Sequence, residues 1–311
     1  MSSSKLHRVK WALLTAALMP ALLCACATGK WGYIDRSGSM VIAPGYDEAT
    51  SFAEGLAAVK VDNLWGYIDQ RGNLVLPPRF QEAWRFAEGM GAVMSRDKWG
   101  YIDRSGGFVI APGFDDVLSF SEGLAPVRLK EQWGFINHLG NVVVSPRFDD
   151  ARPFSESLAA VKVQNRWGYV DRAGQFVIDA RYEGALPFSE GVAAVMEKGR
   201  WGFIDAKGST FMPFRFDLVL SFADGMAAVK VGESWGYMDR MGQMMIEPRF
   251  ERGFSFDGGL APVKIGGKWG YADKMGRLVI RPAFDMAYPF HEGLALVRVG
   301  RPVGYVDRTR R

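Results

Sequence analysis

The sequence predicts an all-β repeat protein, and three observations carry that prediction. Trp-Gly recurs every 34 residues without insertion or deletion, at Trp31, Trp65, Trp99, Trp133, Trp167, Trp201, Trp235 and Trp269, and a partial copy at Val303-Gly304 keeps the phase. Each copy holds short alternating runs of aromatic and β-branched residues between tight turns, the pattern of half-buried strands. Gly and Pro occur too densely for a pair of helices of this length, which sets aside the helical arrays that share the period. So strict a period means one supersecondary unit copied and stacked, each copy covering the apolar face of its neighbour.

Residues 99–132 illustrate the elements in order. Trp99-Gly-Tyr-Ile-Asp103 reads as a strand, and Asp103-Arg-Ser-Gly106 as a turn opened by a side chain that accepts backbone N–H groups and closed by Gly. Phe108-Val-Ile110 is a second strand, stopped by Pro112, which has no N–H for the ladder. A loop with an aromatic at each end, Phe114 and Phe120, follows; each aromatic is expected to fill the space between adjacent sheets. Leu124 to Leu129 is the third strand. The unit is therefore a three-stranded β-meander. Propeller blades usually need four strands and a longer repeat, so the expectation is an open, curved or superhelical array, with a closed propeller-like ring as the alternative.

The strings KWGYID and FDDVLSFSEGLAPVR, together with the Asp-x-x-Gly turn, resemble the bacterial WG-repeat (KWG) family over residues 31–308. The resemblance implies a β-rich array in a surface-exposed or secreted protein and no enzymatic activity.

The first residues stand outside the repeat. Lys5, Arg8 and Lys10 head an apolar run from Trp11 to Leu23, too short for a membrane span and of the form of an export signal. Leu23-Cys24-Ala25-Cys26 resembles the bacterial lipobox. That resemblance implies a lipoprotein signal peptide over 1–25, a lipidated Cys26 with a short tether over 26–30, and a repeat domain over 31–311. Ala27, in place of the Asp that favours inner-membrane retention, implies the outer membrane, on its periplasmic or surface face. Both cysteines lie in this segment, so the repeats hold no thiol nucleophile, thiolate metal site or disulfide. Without residues 1–25 the chain keeps 35 basic against 34 acidic residues, a balance that lacks the footprint of a nucleic-acid binder.

Several columns of the repeat invite chemistry. Asp35, Asp69, Asp103, Asp171, Asp205, Asp239 and Asp273 (with Asp307 in the partial copy) form a carboxylate ladder, but each opens an Asp-x-x-Gly turn, Asn137 replaces one of them, and calcium-loop spacing is absent; turn capping is the expected role. A second acid column, Glu54, Glu88, Glu122, Glu156, Glu190, Asp224 and Glu292, is expected to cap turns or pair with the loop arginines Arg79, Arg147, Arg181, Arg215 and Arg249. The Trp column suggests sugar stacking, yet the Gly beside each Trp points to close backbone packing and a structural core. Trp84 lies off the repeat pattern, and Met244 and Met245 give one unit an adaptable surface; these three are the weak candidates for binding. His138 and His291 fall in different columns, and no phosphate loop, paired-His motif or nucleophile elbow occurs. Neither metal nor cofactor is expected. The expectation is a non-catalytic envelope lipoprotein held to the membrane by its lipid, whose repeated surface binds a protein partner as a scaffold, with glycan or peptidoglycan as the alternative ligand and no role for nucleic acid.

Overall fold

A computed structural model describes residues 29–300. The chain forms eight sheets in a closed ring, an eight-bladed β-propeller. The expected open array is therefore corrected to its alternative, and the three-stranded unit to a four-stranded one. In the third blade the order from one side of the sheet to the other is Asp116–Val117, Leu124–Leu129, Gln132–Asn137 and Val142–Phe148, all antiparallel. The additional strand is the start of what reads in sequence as an aromatic loop. It is two residues long and follows the last strand of the preceding blade after a single residue, Asp115, which is how four strands fit into 34 residues. In the first blade this strand shrinks further, to bridges Ala49↔Val59 and Ala53↔Leu56.

The short strand faces the axis and the Val142–Phe148 type of strand forms the rim. The rim strands repeat a pattern of exposed positions with one buried Ile, Leu, Val or Met in the middle, whereas the two middle strands are buried almost throughout. Pro interrupts most rim strands, at Pro78, Pro112, Pro146, Pro248 and Pro282 among others, and blunts an edge that would otherwise pair with other chains.

Closure is made by the two ends of the described chain. Met286–His291 and Leu294–Val299 supply the inner half of the eighth blade, and Lys30–Ile34 and Met40–Tyr46 the outer half. Five consecutive residue pairs, from Lys30↔Val299 to Ile34↔Ala295, join them. Sequence phase makes this possible: Lys30–Ile34 belongs to the same repeat position that every other blade fills from within its own unit. The two ends therefore emerge together, on the face that carries the connections between blades.

The Trp-Gly pair is explained by the rim strand. That strand bulges as it passes the third strand, so Trp133 pairs with Phe148 but Phe135 with Val144. The bulge presses the main chain onto the Gly. A Cβ at Gly134 would lie 2.4 Å from the Val144 carbonyl oxygen, and at Gly66 2.5 Å from that of Leu76. No other residue fits there. The adjacent Trp then fills the space between blades.

Candidate functional site

Seven of the eight tryptophans are buried, from 1% exposed at Trp99 to 6% at Trp133 and Trp167, and Trp31 is half-buried. No sugar ring can stack on a face that is already covered, so the ladder belongs to the core.

The seams between blades share one construction. The aromatic two residues after each Trp packs against the Phe of the next blade's inner strand, as in Tyr101–Phe120 at 4.8 Å and Tyr271–Phe290 at 4.9 Å. Where that aromatic is Tyr, its buried hydroxyl donates to a main-chain carbonyl of the next blade: Tyr67 to Trp84, Tyr169 to Leu186, Tyr237 to Phe254. Burial pushes these phenols far above their usual pKa, which keeps them as donors.

One face of the ring carries two circles of turns. In the turns between third and rim strands, Oδ1 of Asp35, Asp69, Asp103, Asp171, Asp205, Asp239 and Asp273 accepts backbone N–H groups two and four residues ahead, and Asn137 does the same through its amide oxygen. The hydroxyls of Ser37 and Ser105 and the amide of Asn73 hold Asp35, Asp103 and Asp69 below the ordinary carboxylate range. In the inner hairpins, each acid of the second column reaches across the seam to a backbone N–H of the next blade. Glu54 accepts from Gly89, Glu88 from Gly123, Glu122 from Ser157, Glu156 from Gly191, Glu190 from Gly225, Asp224 from Gly259 and Glu292 from Gly55, at 2.7–3.0 Å. The residue after the capping Asp or Asn clamps the same hairpin from the other side: Arg104 and Lys274 donate to the carbonyls of Glu54 and Asp224, Arg172 to that of Glu122, and His138 contacts the Glu88 carboxylate.

The expected pairing of the second acid column with the loop arginines is thus corrected. Arg79, Arg147, Arg181 and Arg249 instead donate to the Gly106, Gly174, Gly208 and Gly276 carbonyls of the next blade. Arg79, Arg147, Arg181, Arg215 and Arg249 also lie over the neighbouring aromatic rings Phe80, Phe148, Tyr182, Phe216 and Phe250.

The circle of acids has one gap. Gly258 stands where the others place Asp or Glu, and Arg36 donates to its carbonyl. Beside the gap the His291 imidazole lies 3.5 Å from the Asp257 carboxylate, and the Arg36 guanidinium 3.8 Å from it. Phe254 is stacked between Trp269 and Tyr288 at 4.8 and 5.9 Å.

Trp84 is not an exposed contact residue. It lies half-buried on an inner strand and stacks on Trp99 at 6.0 Å. Arg152, in the same column two blades on, covers Trp167 in the same way. Beside it burial pushes Asp150 up to about 7 against the attraction of Arg152. Met244 packs against the core, while Met245 on the rim is half exposed. On the turn face, Leu139, Met241 and Met275 are 80%, 92% and 74% exposed. No group of three or more His, Cys, Asp or Glu side chains able to hold a metal occurs among the described residues. Cys26, the segment 1–25, the partial copy at Val303 and Asp307 lie outside the described residues.

Among solved structures the chain is similar to the dihydro-heme d1 dehydrogenase NirN in complex with DHE, at 13% identity with a TM-score of 0.52, over 87% of this chain and 76% of that one. It is also similar to a eukaryotic initiation factor, at 16% identity with a TM-score of 0.51, over 76% of both chains. At such identities these likenesses concern the fold alone. No curated protein sequence matches the chain. The WG containing repeat matches it at residues 31–65, 65–99, 99–132, 133–167, 167–201, 201–234, 235–269 and 269–301. Eight matches in unbroken succession, each opening on a Trp-Gly pair and each crossing one seam of the ring, show that the chain belongs to the WG-repeat family.

Proposed function

We propose that this chain is a non-catalytic scaffold that binds a protein partner through its turn face. The observation that carries the reading is the set of bare apolar side chains at the turn tips, Leu139, Met241 and Met275, on blades three, six and seven. Each sits at the position where other blades show Ser37, Arg71, Ser105, Ala173 or Lys207. Exposed apolar side chains rimmed by polar ones mark contact sites, and Met adapts its shape to a partner. The columns of acids and bases around them are engaged in holding blades together, which leaves shape and apolar area as what the face offers.

A lipid on Cys26 in the outer membrane would orient this face. The chain enters the ring at Lys30, on the face opposite the turns, where Lys30 pairs with Asp47. Four extended residues from Cys26 to Lys30 span roughly 14 Å. The blade connections then lie against the membrane and Leu139, Met241 and Met275 point away from it.

A photo-crosslinking residue at Met241 in cells, compared with one at rim residue Val109, tests the reading. A discrete adduct at Met241 that disappears when Leu139 and Met275 are both changed to Asp supports it. Equal adducts from both sites, or an adduct indifferent to the two Asp substitutions, would overturn it. Labelling with a lipid precursor, with and without Cys26→Ser, tests the anchor separately.

A further inference from the structure

The rim strands are the outer edges of the eight sheets, and all but one are interrupted by Pro. Six carry it at a single column, as Pro44, Pro78, Pro112, Pro146, Pro248 and Pro282. In the fifth blade it stands one residue earlier, at Pro213. The rim of the fourth blade, Phe176–Tyr182, has Asp179 and Ala180 at these two places and no Pro. An edge strand accepts Pro where the N–H would face solvent, so Ala180 offers a donor where its six counterparts present a ring. The free N–H and C=O groups of an edge are a template for a further strand.

The side chains of this edge indicate what it fits. Ile178 and Tyr182 are buried and Ala180 is half-buried, while Val177, Asp179 and Arg181, which alternate with them, are exposed. Asp179 has no partner among the described residues. Arg181 is held more loosely than the other arginines of its column. Its bond to the Gly208 carbonyl is 3.1 Å, against 2.6–2.7 Å for the matching bonds of Arg79, Arg147 and Arg249. The same Nη2 also donates to the Tyr182 hydroxyl at 2.8 Å, an acceptor that Phe80, Phe148 and Phe250 lack.

Opposite charges two residues apart make the strand complementary to itself. If two copies pair antiparallel about Ala180, Asp179 of each faces Arg181 of the other, and Ile178 faces Tyr182. Centring the pair on Asp179 would oppose two carboxylates, and a slip of one residue would set Ile178 against a charge. The sixth blade repeats the charges, as Glu247 and Arg249, but Pro248 stands between them. We propose that the rim of the fourth blade is a dimerisation edge, on which a second copy of this chain adds its own Phe176–Tyr182 in that register. The edge lies apart from the turn tips, so the dimer and the scaffold reading fail separately: Leu139→Asp with Met275→Asp should leave the dimer intact.

Mild oxidation of full-length Ala180→Cys tests the register, since residues directly opposite in an antiparallel pair have Cα atoms about 4.5–5.5 Å apart, within disulfide reach. A covalent dimer is expected, beyond any seen in wild type; Ser145→Cys, on the exposed rim of the third blade, should give none. Sedimentation equilibrium of the full-length protein gives the dimer's affinity. Ala180→Pro should weaken it about tenfold or more, the scale of a central hydrogen bond lost on both copies. Asp179→Arg should weaken it similarly by opposing like charges, and Asp179→Arg with Arg181→Asp should restore it. Melting transitions show which variants keep the ring; Asp179→Arg, at an exposed site, serves if Ala180→Pro does not fold. A wild type that stays monomeric at every concentration, a folded Ala180→Pro that dimerises as well as wild type, or equal crosslinking of Ala180→Cys and Ser145→Cys would overturn the proposal.

Discussion

The seam between the third and fourth blades and the seam between the seventh and eighth do the same task with different chemistry. At the former, the Glu122 carboxylate accepts the Ser157 N–H, Ser121 donates to the Phe154 carbonyl and Arg172 clamps the hairpin. At the latter, Gly258 removes the carboxylate, a contact between the Asp257 carboxylate and the His291 imidazole replaces the hydroxyl-to-carbonyl bond, and Phe254 stacked between Trp269 and Tyr288 adds aromatic area. The seven other seams each keep the acid and its bond to a backbone N–H of the next blade. Polar links around the turn face are thus replaceable by apolar contact, whereas the Tyr or Phe that meets the next blade's Phe is present at every seam.

The comparison can be broken most severely at the closing strand of the eighth blade. Ile34 is fully buried and opposite Ala295. Ile34→Asp places an unpaired charge there and should cost about 4 kcal/mol or more, seen as loss of a single cooperative unfolding transition. Next come the seam aromatics: Tyr271→Ala and Tyr101→Ala should each cost about 3–5 kcal/mol. If the gap at Gly258 leaves its seam dependent on apolar contact, Tyr271→Ala gives the larger fall in melting temperature. Equal falls would show that the polar links contribute nothing that distinguishes the seams.

Smaller effects sharpen the picture. Glu122→Ala should cost about 1 kcal/mol and speed hydrogen exchange at Ser157 and Leu158 while leaving the eighth blade unchanged. Acid should act through the turn caps. Asp35, Asp69 and Asp103 have folded pKa values below their unfolded ones, so their stabilisation is present above the unfolded value and disappears as pH falls through the folded one. Asp150 acts in the opposite sense. With its pKa raised to about 7, the folded chain binds the proton more tightly, so stability declines as pH rises from the ordinary carboxylate range towards 7. Melting curves of Asp150→Asn across that window should lack this part of the decline. The smallest effect is expected from Gly258→Glu. The backbone there, φ 55°, already matches the 53–54° of the acids in this column, and a Cβ would meet only the far end of the Arg36 side chain at 2.0 Å. Once Arg36 moves aside, the new carboxylate can reach Gly293, and stability should change by no more than about 0.5 kcal/mol.

The period, the Trp-Gly core and the Asp-x-x-Gly turns were legible because each rests on neighbours in sequence. The fourth strand was not, since Asp116–Val117 is too short to show alternation. Closure depends on curvature summed over eight seams, which no single unit displays, although the phase of Lys30–Ile34, which fits the repeat position of the strand beside Leu294–Val299, was a usable hint. The partner of each second-column acid lies 35 residues away on another blade, so its role followed from the ring alone. Trp84 misled because a departure from the pattern resembles exposure, while its ring replaces Arg152 or Phe254 in stacking on a Trp.

The meeting of the first and last described strands within one blade constrains how such a gene can change. A stacked rod lengthens with every duplication, and its new copy finds the same neighbours as the old. In a circle every place is already taken, so an inserted copy must either be extruded as a surplus loop or force all the intervals between blades to a new angle at once. Variation in this protein is therefore channelled into altering the copies it has, as at Gly258 and the bare turn tips, and away from altering their number.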